Sequence, residues 1–267
     1  MTSAFAELQA CETIMSSLAR LWSYKDGHSS DLLYEVPKDC YGGNAMKSFE
    51  LDHVFICTDV GAPEADLLRD FGLTEGPANV HPGQGTANRR FFFHNAMLEL
   101  LWVHDSVQAQ SARTRPTRLW ERWRGRRCAA SPFGICLRPQ HPETTALPFP
   151  AWVYEPAYVP APGVIHVGEN AAVITEPMLF YVTFGRRPDQ AGLRYPLAHA
   201  TGFQEVTALR VQSPQQAPWS TALQAAVHMG TVIWSAGLQY HMDLGFDGET
   251  QGKVIDFRPT LPLTLSW

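Results

Sequence analysis

Two polar side chains stand inside apolar runs of strand length. In Leu51-Asp52-His53-Val54-Phe55-Ile56-Cys57-Thr58 a period of two places His53 on one face with Leu51, Phe55 and Cys57, and turns Asp52 to the other. In Met97-Leu98-Glu99-Leu100-Leu101-Trp102-Val103, Glu99 shares its face with Met97 and Leu101. An ionised carboxylate among such neighbours is costly unless it is paired, neutralised or bound to a metal. If the two strands lie side by side in one curved sheet, His53 and Glu99 face one cavity. Imidazole plus carboxylate is a common ligand pair for Zn, Fe, Mn or Ni. From spacing alone, plainer readings stand beside this one: a strand histidine is more often a satisfied half-buried residue, and a glutamate can be neutralised by an arginine.

A second cluster is basic. Arg113, Arg115, Arg118, Arg122, Arg124, Arg126 and Arg127 surround Trp120 and Trp123, with Glu121 the one acid among them. Guanidinium forks suit carboxylates and phosphates, which makes Arg118 and Trp120 candidates for holding an anionic substrate. A solvated face with stacked rings is the simpler alternative. Nucleic acid is not expected as a partner, because the basicity is local in a chain of formal net charge −5. Other motifs fail: Gly83-Gln84-Gly85-Thr86 lacks the ending of a phosphate loop, and no dinucleotide fingerprint follows a strand. Cys57 and Cys136 read as buried thiols rather than nucleophiles.

The elements that must position these residues are partly legible. After the strand at 51–58, Asp59-Val60-Gly61-Ala62-Pro63 opens a helix in which Leu67, Leu68 and Phe71 share a face and Gly72 is the stop. The run 73–81, a turn at 82–85, and the runs 88–94 and 96–103 follow, the last two separated only by His94-Asn95 and therefore a tight hairpin. Further on, 133–139, 178–184, 206–212 and 254–258 predict strands, and 220–229 the one clear helix of this half. Residues 139–163 hold seven prolines and predict an extended strap without a helix. Residues 1–45 read as a leader, disordered beyond one helix at most, with Met46 a candidate start. Phe49-Glu50-Leu51-Asp52-His53-Val54 and Phe203-Gln204-Glu205-Val206-Thr207-Ala208-Leu209 both open a strand-then-helix unit, a faint likeness.

The run Leu51-Asp52-His53-Val54, the helix ending Asp70-Phe71-Gly72-Leu73, then His81-Pro82-Gly83-Gln84-Gly85-Thr86-Ala87-Asn88-Arg89 and Leu98-Glu99-Leu100 resemble the glyoxalase-like domains of the vicinal-oxygen-chelate superfamily. The resemblance implies an α+β fold in which paired βαβββ modules form a cupped mixed sheet. It divides residues 46–267 into a first module at 49–105, an arginine-rich connection at 106–131 and a second module at 132–267. It also implies a divalent metal held by a first-strand histidine and a fourth-strand carboxylate, the positions of His53 and Glu99, with Glu99 catalytic as well. Gly85, Thr86 and Asn88 would shape the cavity wall beside it. The histidine and acid that the family draws from its second module have no match in 133–139, 178–184 or 206–212. His81, His94, His166, Glu176, His199, Glu205 and His241 are the remaining candidates.

At 267 residues the chain can bury a core without disulfides or structural metal. Hydrophobic residues at 45% and charged residues at 18% exclude a disordered, collagen-like or coiled-coil chain. No apolar run suits a membrane span, no secretory pattern opens the chain, and five cysteines without Cys-x-x-Cys spacing argue against a disulfide framework, so the cytoplasm is the expected location. Two functions are expected. One is a divalent-metal-dependent lyase, isomerase or dioxygenase acting on a small oxygen-rich molecule. The other is a metal-free protein that binds or sequesters a small molecule in a cup lined by Phe91, Phe93, Trp102, Trp120 and Tyr154. A homodimer is the expected form of any self-assembly.

Overall fold

The structure, a computed structural model, describes residues 48–192, 194–215 and 217–267. The expected leader and the start at Met46 lie outside the described residues. The first module follows the predicted order: β1 (Phe49–Cys57), α1 (Ala65–Phe71), β2 (Asn79–His81), β3 (Thr86–Phe92) and β4 (Met97–Val103). Gly72 ends α1 in the left-handed region at φ 112°, its N–H returned to Arg69 and Leu68, a conformation glycine takes without a Cβ penalty. The β3–β4 turn closes with Phe93 N–H donating to the Ala96 carbonyl, while β1 lies parallel to β4.

A second set of four strands, β5 (Phe133–Pro139), β6 (Ala151–Tyr154), β7 (Ile165–Gly168) and β8 (Met178–Val182), repeats this pattern, with β5 parallel to β8. The two sets join antiparallel through β1 and β5, giving one eight-stranded sheet in the order β2-β3-β4-β1-β5-β8-β7-β6. This is the expected α+β cup of paired modules. No helix occupies residues 139–163, where the prolines lack backbone donors, so the second module has no counterpart of α1.

Residues 106–131 are more helical than their composition predicts. They form α2 (Ser106–Ala109), a single 3-10 turn at Arg115–Thr117 and α3 (Leu119–Gly125), and α3 buries Leu119 and Arg122. The Arg122 guanidinium, fully enclosed, donates to the carbonyls of Ser131, Ile174 and Glu176, tying the connection to the second module.

From Val206 the chain departs from the expectation of a second module running to Trp267. β9 (Val206–Ser213), α4 (Thr221–His228), β10 (Ile233–Ala236), β11 (His241–Phe246), β12 (Val254–Asp256) and β13 (Leu263–Ser266) build a separate five-stranded sheet, ordered β10-β9-β11-β13-β12. The helix α4 starts where predicted, with Ser220 Oγ accepting from Leu223 N–H as an N-cap. The likeness between residues 49–54 and 203–209 stops at the strand-then-helix start. β9 pairs with β10 directly after its helix, whereas β1 waits for β4.

The second sheet covers the convex back of the cup. Val54, Ile56, Leu98, Leu100, Ile135 and Leu179 of the cup share one core with Leu209, Val211, Leu244, Leu263 and Leu265. Fully burying each such side chain contributes roughly 1.5–3 kcal/mol. The concave face carries a separate apolar cluster that includes Phe55, Leu119, Ile165, Met178, Phe180 and Val182. Gly134 makes this face what it is: a side-chain carbon there would overlap the Phe55 ring, which lies across β5. No helix among the described residues is long and apolar enough to cross a membrane.

Candidate functional site

The concave face encloses a cavity of about 510 Å3, polar toward the first module and apolar toward the second. Asp52, His53, His81, Gln84 and Glu99 line the first part, and Ile165, Met178, Phe180 and Val182 the second.

A β-bulge sets the polar end. Leu51 pairs with Leu137 and His53 with Cys136, so Asp52 is an extra residue in β1. The insertion overturns the expected facing: Leu51 packs into the convex-side core with Phe49, while Asp52 joins His53 in the cavity lining. His53 Nδ1 donates to Asp52 Oδ1 at 2.6 Å, and Asp52 Oδ2 accepts from Arg138 Nη1 at 3.2 Å. Arg138, 1% exposed, also donates to Glu50 at 2.9 Å and to the Asn95 carbonyl at 2.6 Å. Burial pushes the Asp52 carboxyl up, but His53 and Arg138 outweigh it and hold the group below the ordinary carboxylate range. Burial pulls the His53 imidazole down, yet Cys136, Glu99 and the Asp52 hydrogen bond together raise it well above its ordinary value. The edge of the His53 ring meets Phe180 at 5.1 Å between centroids.

Glu99 reaches the same end from β4, where it pairs with Phe55 as Met97 pairs with His53. It is 7% exposed, and no hydrogen bond or ion pair to its carboxylate is made among the described residues. Its cross-strand neighbour is Arg90, which instead donates to the Pro77 carbonyl and lies over the Phe92 ring. His81 faces the cavity from β2, its Nδ1 held 2.8 Å from Thr86 Oγ1 and its ring 4.6 Å from that of Tyr158. Burial chiefly lowers its pKa, which keeps it neutral near neutral pH. Gln84 donates to Thr86 and accepts from Tyr154 and Tyr158, fastening the proline-rich strap over the cavity.

The structure gathers only some of the residues singled out in the sequence. His53 and Glu99 share the cavity. Thr86 sits behind it and orients His81 and Gln84, and Asn88, fully buried, accepts from the backbone of Asn79, which lines it. Gly85 is a turn residue at φ +76°, where a side-chain carbon would collide with the Asp105 carbonyl. Arg118 and Trp120 do not line the cavity: Arg118 pairs with Glu121 at 3.0 Å, and Trp120 leans on Trp123. The phase of α3 sends Leu119 inward in their place. Of the five rings expected to line a metal-free cup, Tyr154 does so, whereas Phe91 and Phe93 belong to the convex-side core.

His166 lies against the Tyr181 ring and outside the cavity lining, and the other second-module candidates are engaged elsewhere. His199 bridges Thr74 and Phe92, Glu176 holds Ser220 and Asn170, Glu205 pairs with Arg187, and His241 meets Thr264. What the sequence reading missed is Asp52, Gln84, Tyr158 and Arg138. Arg138 gave a usable signal, since an arginine inside Phe133-Gly134-Ile135-Cys136-Leu137 raises the same burial question as Glu99.

Residues 51–227 match the family of glyoxalase-like domains. The chain therefore belongs to that family, within the vicinal-oxygen-chelate superfamily, whose members often bind a metal. No curated protein matches it. Among solved structures it is similar to a hypothetical protein from Staphylococcus aureus, at 11% identity over 82% of this chain and 99% of that one, with a TM-score of 0.47.

Proposed function

We propose that the cavity is the active site of a divalent-metal-dependent lyase, isomerase or dioxygenase, acting on a small molecule that is apolar over most of its surface and carries oxygen at one end. One observation carries this reading. The Glu99 carboxylate is buried, opens into the cavity and makes no hydrogen bond or ion pair among the described residues, even though Arg90 is its cross-strand neighbour. A buried carboxylate without a partner is costly, and a bound cation removes that cost. The residues present fit such an ion: His53 and Glu99 would hold it, and the bond from His53 Nδ1 to Asp52 is the outer carboxylate that metal-bound imidazoles commonly use. When bound, Fe, Mn, Ni or Zn supplies a Lewis acid for a substrate oxygen.

The chain's own residues do the rest. Arg138 fixes Asp52, and Asp52 fixes the His53 ring. His81, neutral and facing the cavity, can take or give a proton. Ile165, Met178, Phe180 and Val182 hold the apolar body of the substrate, and the strap fastened through Gln84 excludes water. The accompanying partner is a small molecule and, for self-assembly, a second copy of the chain; the location that goes with this reading is the cytoplasm. Arg122, Arg126 and Arg127 are engaged in internal contacts, which supports the absence of a nucleic-acid partner.

The test is turnover of catechols, dicarbonyls and 2-oxo acids by protein loaded with each metal. Activity lost in both His53→Ala and Glu99→Ala supports the reading, and activity kept by chelator-stripped protein contradicts it. A second reading, a metal-free binding protein, is favoured by one observation: β8 presents Met178, Phe180 and Val182 to the cavity and no acid. Under it, His53→Ala leaves ligand affinity nearly unchanged.

A further inference from the structure

The hydroxyl of Thr86 is fully buried, and its hydrogen-bond neighbours among the described residues are Gln84 Nε2 at 2.8 Å and His81 Nδ1 at 2.8 Å. The Gln84 amide donates at that end because its Oε1 accepts at the other, from Tyr154 Oη at 3.2 Å and Tyr158 Oη at 3.3 Å. Tyr158 Oη has no other hydrogen-bond partner among the described residues, so its proton goes to Gln84 Oε1. That fixes which end of the amide faces Thr86.

The Thr86 hydroxyl, already accepting from Gln84, has its own proton to give. Buried polar groups are hydrogen-bonded where a partner is in reach, and the acceptor in reach is His81 Nδ1. A neutral imidazole that accepts at Nδ1 carries its proton on Nε2. That nitrogen has no partner among the described residues, and His81 lines the cavity together with His53 and Glu99. The Tyr158 ring, 4.6 Å from the imidazole between centroids, packs against it and holds its plane.

We infer that Tyr154, Tyr158, Gln84 and Thr86 form a hydrogen-bond relay that holds His81 in its Nε2–H tautomer, so that His81 meets the substrate as a neutral hydrogen-bond donor to an oxygen and not as a base. The catalytic part rests on the reading of the cavity as an active site and chooses between the two proton roles open to His81. The tautomer itself depends on neither metal nor substrate. A neutral imidazole N–H polarises a carbonyl or steadies an enolate oxygen without placing a full charge on the ring, and no bond to hydrogen is made or broken at His81. Thr86 and Gln84 act through His81 and are positioning residues. The substrate this fits carries an oxygen on which negative charge grows during the reaction.

The experiment is long-range proton–nitrogen correlation NMR of the isotope-labelled, metal-stripped full chain near neutral pH, with the His81 signals identified as those missing from His81→Gln. The expected result is a protonated Nε2 and a bare Nδ1. Thr86→Val, which removes the hydroxyl and keeps the branched shape, should shift proton population toward Nδ1, and Thr86→Ser should restore the wild-type pattern. A protonated Nδ1 in the wild type, or an unchanged pattern in Thr86→Val, overturns the relay and leaves the metal reading standing. In metal-loaded chain turning over one of the substrates named above, His81→Phe should lower kcat about 100-fold or more, the cost of losing a donor to a developing oxyanion. His81→Gln, whose amide offers an N–H in place of Nε2, should keep most of that rate, and equal losses in the two variants overturn the donor role. A chain with the Nε2–H pattern that takes up no metal overturns the metal-dependent reading and supports the relay.

Discussion

Replacing Arg138 by methionine tests how the polar end of the cavity is held. The guanidinium is almost wholly buried and bonds Glu50 at 2.9 Å, Asp52 at 3.2 Å and the Asn95 carbonyl at 2.6 Å. Arg138→Met keeps much of the volume but removes all three donors. Asp52 then keeps only His53 as a counter-charge, and the carbonyl of the β3–β4 turn is orphaned. Breaking a buried ion pair from one side costs about 3–5 kcal/mol, and for a domain of this size each kcal/mol lowers Tm by roughly 2–4 °C, so a fall of roughly 6–20 °C is expected near neutral pH.

The pH dependence follows from the sign of the Asp52 shift. Its folded value lies below its unfolded one, so its contribution is complete above the unfolded value of about 4 and is lost as pH falls through the folded value. The gap between wild type and Arg138→Met, followed by circular dichroism on metal-free protein, should therefore narrow steadily in acid. Arg138→Lys should recover only part of the loss, because one ammonium cannot reproduce the planar fork. A loss below about 1 kcal/mol near neutral pH, the scale of an exposed ion pair, would refute the reasoning.

Three further outcomes are expected. Glu99→Gln should raise the stability of the metal-free protein by roughly 1–3 kcal/mol, because it removes a charge that is largely buried and meets no hydrogen bond or ion pair among the described residues, while weakening metal uptake; a fall in the urea midpoint would show that Glu99 has a structural partner. Gly134→Ala should cost about 1–3 kcal/mol by overpacking against the Phe55 ring, and an unchanged urea midpoint would contradict the close approach. Glu176→Ala should cost about 3 kcal/mol in thermal or urea unfolding, since the fully buried carboxylate accepts from Ser220 N–H, Ser220 Oγ and Asn170 Nδ2, and a near-neutral effect would argue against that network.

The first module was readable in the sequence because its strands are long enough to show a period and its helix carries its own stop at Gly72. His53 and Glu99 were readable for a related reason, as polar groups in apolar strands that must find a partner. The bulge was not, because it is decided by how β1 registers against β5, a tertiary choice with no local signature at Asp52. Strands of three or four residues, such as β6, β7, β10 and β13, are too short for periodicity to separate them from loop. The second sheet was therefore folded into the second module. In the arginine-rich connection composition hid phase, so Arg118 and Trp120 were favoured by chemistry although α3 turns Leu119 to the cavity. Cys136 looked like an inert thiol in sequence, and its place beside His53 exists only once the two modules pair.

The most direct test of the account is the metal content of tag-free protein purified without chelator and measured by mass spectrometry beside His53→Ala and Glu99→Ala. The account predicts about one equivalent of Zn, Fe, Mn or Ni in the wild type and a loss of that metal in both variants. A wild type that stays empty even after incubation with each of these ions would contradict it, and would turn the search toward apolar ligands of a metal-free cup.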